Sequence, residues 1–178
     1  MKYIVLYSSR TGNTKKIAQA MTEVLPEGTL CLPMKEAPAD LSNYDCVCMG
    51  FWADKGTANN EAQKYLSRLQ NDTVVLFATL GVPPQMPHAL KTMAAARALL
   101  PKGQEPVGEF HCQGKVDPAV IEMMYKIFPK GHAHGQSAER DARHQMAATH
   151  PDANDLANAK AFMLAVRGKL ETRDIEQF

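Results

Sequence analysis

Five apolar runs rich in β-branched residues recur along the chain, and segments with helical spacing lie between them. The runs cover residues 3–7, 29–33, 45–51, 73–78 and 106–112. They predict five β-strands. Residues 47–51 and 74–78 are continuously apolar, which is typical of strands buried on both faces of a sheet.

The segments between these runs show the spacing of amphipathic helices. In the first segment, Ile17, Ala18, Met21, Val24 and Leu25 fall on one helical face. Further helices are predicted at residues 59–69, 87–100, 138–148 and 151–166. Another helix is predicted to begin at Asp117-Pro118, because Asp suits the N-cap and Pro suits the first helical position.

The alternation of strands and helices predicts one α/β domain over residues 1–178. Strands joined by helical crossovers are parallel, so helices should cover both faces of the sheet. Five strands in such a domain fit the doubly wound order 2-1-3-4-5. The irregular stretch 129–136 is expected to form a surface loop.

Composition restricts the classes of partner and compartment. The 178 residues are 45% hydrophobic and 22% charged, and the formal net charge of +1 argues against a nucleic-acid partner bound through bulk charge. No apolar run approaches the roughly 20 residues that span a bilayer. Met1-Lys2-Tyr3 leads directly into a strand pattern rather than a signal peptide. We therefore expect a cytoplasmic protein without membrane insertion.

The cysteine and histidine patterns do not favour a metal site. Cys31, Cys46, Cys48 and Cys112 lie in strand-like segments without the spacing of zinc ligands, which predicts small buried residues. His132 and His134 lie in the 129–136 loop without further ligands nearby, which predicts solvated histidines.

A polar loop joins the first strand to the first helix. It consists of Ser8, Ser9, Arg10, Thr11, Gly12, Asn13 and Thr14. Its backbone N–H groups, its hydroxyls and the positive end of the helix dipole predict a phosphate site, at the sheet edge where open α/β sheets bind ligands. The absence of Gly-Lys-Ser/Thr argues against a nucleoside triphosphate. The alternative is a plain turn in which Thr11, Asn13 or Thr14 acts as the helix N-cap.

Two further loops follow central strands at the same predicted edge of the sheet. Residues 50–57 read Gly-Phe-Trp-Ala-Asp-Lys-Gly-Thr, and residues 77–81 read Phe-Ala-Thr-Leu-Gly. Together with the polar loop, residues 110–114 and the helix start at 150–156, they make essentially the whole chain similar to the flavodoxin family. This resemblance implies a flavodoxin-like three-layer sandwich with a five-stranded parallel sheet.

The resemblance also implies a cofactor and a set of site residues. FMN would bind noncovalently, with its phosphate on the polar loop. Its ring would lie against a first loop, formed by Phe51, Trp52, Ala53, Asp54, Lys55, Gly56 and Thr57, and a second loop, formed by Thr79, Leu80 and Gly81. In flavodoxins a peptide near the ring rearranges on reduction, and here it would lie in the first loop. If that peptide follows Trp52 directly, Ala53 replaces the usual glycine.

In function, the resemblance implies an electron carrier between a reductase and an acceptor enzyme, with no catalytic residue of its own. Residues 7–15, 50–57 and 112–115 resemble a flavodoxin subgroup from anaerobes, with members encoded beside a bilirubin reductase.

Two departures from the family keep other functions open. Many flavodoxins stack a tyrosine from the second loop on the outer flavin face, but residues 82–88 contain no aromatic side chain beyond His88. Met86 or a proline covers that face, or it is open to a partner or substrate. The nearly balanced charge also differs from strongly acidic flavodoxins. The alternatives are an FMN-dependent reductase that acts on a small molecule and a flavodoxin fold that has lost FMN.

Overall fold

The computed structural model describes residues 1–132 and 135–176, with side chains up to residue 172. The strands are β1 Tyr3–Tyr7, β2 Leu30–Pro33, β3 Cys46–Asp54, β4 Thr57–Ala58, β5 Thr73–Leu80 and β6 Gly108–Gln113. The α-helices are α1 Asn13–Thr22, α2 Asn60–Leu66, α3 Pro87–Arg97, α4 Pro118–Ile127, α5 Ala138–Ala147 and α6 Ala153–Glu176. A short 3₁₀ helix, Met34–Glu36, follows β2.

The sheet has the predicted doubly wound topology. Its order is β2-β1-β3-β5-β6, with every neighbouring pair parallel. Counting only these strands gives 2-1-3-4-5, so the predicted order is confirmed. Within the described residues the sheet has a sixth strand, β4, which pairs antiparallel with β3. The sequence did not indicate it, because two residues are too few to show an alternating pattern.

Alternating side chains along the strands separate two cores. Ile4 and Leu6 of β1 lie on one face of the sheet, packed with α2 and α3. Tyr3, Val5 and Tyr7 lie on the other face, packed with α1 and α6. Successive side chains of a strand point to opposite faces, so the five buried residues of β1 pack against the helices on both sides of the sheet.

Two central strands continue beyond the ends that the apolar runs predicted, so those predicted ends were wrong. β3 reaches Asp54 rather than residue 51, and β5 reaches Leu80 rather than residue 78. The two strands remain paired there, with Trp52 opposite Thr79. Polar residues such as Thr79 and Asp54 weakened the apolar pattern, but backbone pairing with a neighbour maintained the strands.

Helices α4 and α5 follow the edge strand β6 and lie apart from the buried layers. No residue of α4 is buried, and the apolar side chains of Met123 and Ile127 are more than half exposed. The Tyr125 hydroxyl donates to Asp141 of α5 at 2.8 Å, which joins the two helices. The predicted N-cap of α4 is confirmed, since the Asp117 side chain accepts from the Ala119 N–H at 2.9 Å.

The cysteines occupy the core on the α1 and α6 face. Cys46, Cys48 and Cys112 are buried, whereas Cys31 is only partly buried, and all four are free thiols. Burial raises the pKa of the Cys112 thiol, and nearby Asp155 and Asp152 raise it further. Among the described residues, no helix is both long enough and apolar enough to span a membrane.

Candidate functional site

The polar loop after β1 is shaped by one glycine. Gly12 has φ +87° and is the N-cap of α1, in the left-handed region that side chains disfavour. None of the three residues proposed as caps accepts a hydrogen bond from a first-turn N–H of this helix within the described residues. The alternative interpretation, in which Thr11, Asn13 or Thr14 caps α1, is therefore wrong.

The loop leaves its backbone donors available. Within the described part of the chain, no protein group accepts a hydrogen bond from the N–H of residues 9–14. Asn13 and Thr14 are nevertheless buried. Buried N–H groups without a partner are rare in folded proteins, so these donors indicate a site for an anion.

Side chains of the loop hold it against the segment 113–117, which links β6 to α4. Asn13 Nδ2 donates to the Lys115 carbonyl at 2.9 Å, and Thr11 Oγ1 donates to the same oxygen at 3.4 Å. A Cβ on Gly114 would lie 2.8 Å from Asn13 Nδ2. The hydrogen bonds of these two side chains position the loop against the 113–117 segment.

The first of the two loops predicted to lie against the ring forms a β-hairpin. Asp54 lies opposite Thr57 across the β3–β4 pair. Lys55 has φ +48° and Gly56 has φ +79°, as a two-residue type I′ turn requires. The Trp52 carbonyl accepts from the Asn59 N–H at 3.2 Å. The Trp52–Ala53 peptide is thus held at its oxygen, while the Lys55–Gly56 turn projects beyond the paired residues.

Trp52 is only partly buried, and its ring lies beside the polar loop. The Arg10 guanidinium carbon is 5.7 Å from the centre of the Trp52 ring. Arg10 Nε also donates to Asp117 at 2.9 Å. The pKa of Asp117 is held below its usual value, first by the Ala119 N–H and then by Arg10. Arg10 therefore connects the polar loop, the hairpin and the start of α4.

The second predicted ring loop is joined to the polar loop through two buried hydroxyls. Thr14 Oγ1 and Thr79 Oγ1 are 2.9 Å apart. Leu80 accepts from the Gly114 N–H at 2.8 Å, and Val116 lies so close to Gly81 that a Cβ there would meet Val116 at 2.4 Å. The 113–117 segment thus packs on both loops.

Two predicted site residues point their side chains into the core. Phe51 and Leu80 are buried on the α2 and α3 face, so only their backbones could border a ligand. The histidines were not predicted as site residues. His88 is exposed in the first turn of α3. His132 stacks on Phe128, with ring centres 4.6 Å apart. His134 lies outside the described residues.

A polar group that the sequence did not indicate lies beside the polar loop. Ser8 Oγ donates to Glu61 Oε2 at 2.6 Å and accepts from Asn59 Nδ2 at 2.8 Å. The Asn59-Asn60 pair is visible in the sequence as the start of α2. Only the packing of α2 beside β1 shows that Asn59 and Glu61 meet Ser8, because residues 51 and 53 positions apart share no local pattern.

His150, Asp152 and Asp155 also lie together. Asp152 Oδ1 accepts from the N–H groups of Asn154 at 2.8 Å and Asp155 at 3.0 Å, and Asp155 in turn accepts from the Asp152 N–H. These bonds cap the first turn of α6, which accounts for the cluster.

Comparisons with known proteins identify the family of this chain. A family model described as "Flavodoxin domain" matches residues 4–164. The flavodoxin-like domain-containing protein BilS of Clostridioides difficile is 32% identical over 91% of this chain and 94% of its own length. The protein of the same name from Clostridium symbiosum is 30% identical over 93% of this chain and 95% of its own length. These matches confirm the predicted family and subgroup.

Solved flavodoxins share the fold. The Fusobacterium nucleatum flavodoxin bound to flavin mononucleotide has a TM-score of 0.56 at 11% identity, covering 95% of this chain and 99% of its own. A flavodoxin from the domain Archaea has a TM-score of 0.52 at 14% identity, covering 96% and 99%.

The residues of this chain fit the cofactor of the family. The unpaired N–H groups of residues 9–14 suit a terminal phosphate, and the partly exposed Trp52 offers a flat face to a ring. The family match confirms FMN as the predicted cofactor. The chain is a member of the flavodoxin family.

Proposed function

We propose that this protein is an electron carrier that binds FMN noncovalently at the carboxyl edge of its sheet. It folds as one domain over residues 1–178 and acts in the cytoplasm, which agrees with its four free thiols. The observation that carries the proposal is the set of unpaired backbone N–H groups of residues 9–14 at the start of α1. The flavin supplies the redox chemistry, and the protein binds it and sets its environment.

The phosphate loop, residues 8–14, holds the phosphate through backbone N–H groups and the dipole of α1. Ser9 adds a hydroxyl, although its Oγ accepts from the Lys15 N–H at 3.3 Å. Arg10 brings a positive charge to the Trp52 end of the loop, where it favours a more negatively charged flavin. Asp117 partly balances that charge.

The ring lies between the hairpin of residues 52–58 and the second loop, residues 79–81. The peptide that rearranges on reduction is the Lys55–Gly56 peptide. Two observations support this assignment. The Trp52 carbonyl is already bonded to Asn59, and Gly56 at φ +79° tolerates conformations that a side chain resists.

The partners are a reductase that loads the flavin with electrons and an acceptor enzyme that removes them. The subgroup shared with the two BilS proteins favours a bilirubin reductase as the acceptor. A net charge of +1 gives little long-range steering, so the association rate should change little with salt.

The test is purification in the presence of excess FMN, followed by a titration of FMN into the apoprotein. The wild type should be yellow and bind FMN. A Thr11→Ala/Asn13→Ala variant removes both bonds to Lys115 and should bind FMN at least about tenfold more weakly, since each side-chain hydrogen bond contributes about 0.5–1.5 kcal/mol. A colourless wild type that the double substitution leaves unchanged would contradict the proposal.

A second candidate function is an FMN-dependent reductase that acts directly on a small molecule. The observation that favours it is the segment 82–88, which has no aromatic residue beyond His88, and His88 is exposed in α3. Turnover with NAD(P)H and no partner protein separates the two functions. A carrier shows almost none, whereas a direct reductase consumes NAD(P)H in proportion to its substrate.

A further inference from the structure

Three polar side chains from two separate parts of the chain form a compact group: Ser8 at the start of the phosphate loop, and Asn59 and Glu61 at the start of α2. Ser8 Oγ donates to Glu61 Oε2 at 2.6 Å, and Asn59 Nδ2 donates to Ser8 Oγ at 2.8 Å. Ser8 is 5% exposed and Asn59 is 4% exposed, while Glu61 is partly exposed. This Ser8–Asn59–Glu61 group is therefore buried on one side and reachable through Glu61.

One acceptor of the group has no hydrogen-bond donor. The Oδ1 atom of Asn59 is buried and has no hydrogen-bond partner among the described residues. Ser8 has one hydroxyl proton, which its bond to Glu61 already uses. Asn59 Nδ2 donates one of its two N–H groups to Ser8. A carboxylate accepts several hydrogen bonds and donates none, so Glu61 and the Asn59 oxygen both have free capacity to accept. A buried acceptor without a donor is costly, and such a group is suited to a ligand that brings hydroxyls.

The position of the group relates it to the cofactor. Ser8 is the first residue of the phosphate loop, and the Asn59 N–H donates to the carbonyl of Trp52 in the hairpin. The group therefore lies between the two parts of the site that take the two ends of FMN. The ribityl chain joins those ends, and it carries three hydroxyl groups.

We propose that Asn59 and Glu61 form the subsite that binds the ribityl hydroxyls of FMN. This inference rests on the proposed function and adds two residues that neither the sequence motifs nor the family resemblance indicated. Glu61 is the accessible acceptor, and Asn59 Oδ1 is the buried one. Ser8 holds the Glu61 carboxylate in place through its short hydrogen bond.

Because Glu61 is charged, its removal should change the affinities for riboflavin and FMN by different amounts. A carboxylate next to the phosphate loop repels a phosphate dianion, so the hydroxyl contact and the repulsion oppose each other in FMN. Riboflavin has the ribityl chain without the phosphate, and only the favourable contact applies to it. Removal of Glu61 should therefore weaken riboflavin more than FMN.

The experiment compares three flavins by fluorescence quenching with the wild type, Glu61→Ala and Glu61→Gln. Lumiflavin has the ring alone, riboflavin adds the ribityl chain, and FMN adds the phosphate. Glu61→Ala should lower the affinity for riboflavin about tenfold, in line with the loss of one hydrogen bond to a charged group. It should lower the affinity for FMN less and leave the affinity for lumiflavin unchanged. Glu61→Gln keeps an oxygen acceptor and should remain within about threefold of the wild type for riboflavin.

The matched control is Asp72→Ala, which removes an exposed carboxylate just before β5, at the other end of the sheet. It should leave all three affinities unchanged. The subsite would be overturned if Glu61→Ala lowered the affinities for lumiflavin and riboflavin equally, or if it left the affinity for riboflavin unchanged. Failure of the wild type to bind FMN would overturn the proposed function instead, so the two failures are distinct.

Discussion

The two ends of the sheet differ in how their polar groups are hydrogen-bonded, and the volume of a cavity does not show this difference. At the amino ends of the strands lies an open cavity of about 1110 Å³, lined by residues that include Met1, Asp40 and Arg68. Its polar groups are largely bonded to the protein itself. Asn71 Nδ2 donates to the carbonyls of Leu41 and Tyr44, both at 2.9 Å.

The carboxyl ends show the opposite balance. There the N–H groups of residues 9–14 have no acceptor among the described residues, and Asn59 Oδ1 has no donor. Parallel strands gather their carboxyl ends, and the start of α1 with its dipole, at this one edge. Gln104 Oε1 at the amino ends is also buried without a partner among the described residues, so a single side-chain oxygen does not mark a ligand site. The series of unpaired backbone N–H groups at the start of α1, rather than the size of a cavity, distinguishes the carboxyl edge.

The sharpest test of this comparison uses two glycines with nearly the same backbone conformation. Gly12 has φ +87° in the phosphate loop, and Gly28 has φ +82° between α1 and β2, near the amino end. Gly12→Ala should lower the affinity for FMN about a hundredfold. A shifted loop loses about two charge-assisted hydrogen bonds to the phosphate, of about 1.5 kcal/mol each. Titration of FMN measures this change.

Gly28→Ala is the matched control. Neither glycine has an atom within 4 Å of an added Cβ, so both substitutions carry the same conformational strain of about 1–2 kcal/mol. Denaturant unfolding of the apoproteins should show similar losses of stability, while only Gly12→Ala changes FMN affinity. Equal loss of affinity in the two variants would mean that the ends of the sheet do not differ as described.

A smaller effect is expected from the aromatic residues of the two ends. Trp52→Ala should weaken FMN about tenfold, since an aromatic stack contributes about 0.5–1.5 kcal/mol beyond its buried area. Tyr44→Ala removes a ring at the amino-end cavity, where Lys2 Nζ lies 4.8 Å from the ring centre. That variant should lose stability and keep FMN affinity. Lumiflavin binding should follow the same order if Trp52 contacts the ring.

The smallest effect concerns pH. Burial raises the pKa of Tyr3 to about 12. A phenol whose folded pKa exceeds its unfolded value of 10.0 stabilises the fold below pH 10, and this contribution is lost as pH rises from 10 to 12. Tyr3→Phe should therefore lose less stability over that range, by about 1 kcal/mol or less, in urea titrations. A parallel decline in both proteins would show that Tyr3 does not contribute, and that other groups with raised pKa values, such as Tyr7 and Cys112, cause the alkaline loss.

The sequence predicted the strand order and the site edge because both depend on repeated local signals. Continuous apolar strands and a Ser/Thr/Gly/Asn loop after β1 are visible without a structure. The β4 strand and the true end of β3 were missed, since they depend on the pairing of Asp54 with Thr57. The contacts of Ser8 with Glu61, and of Asn13 with Lys115, join distant segments and have no periodic signature.

The bond between Thr14 and Thr79 has a consequence for how the two loops communicate. Each hydroxyl owns a single proton, and either atom can be the donor in this 2.9 Å bond. An anion that accepts a hydrogen bond from the Thr14 hydroxyl would oblige Thr79 to donate its own proton to Thr14. A phosphate at one loop would thereby set the direction of a hydroxyl dipole in the other loop, without movement of the backbone.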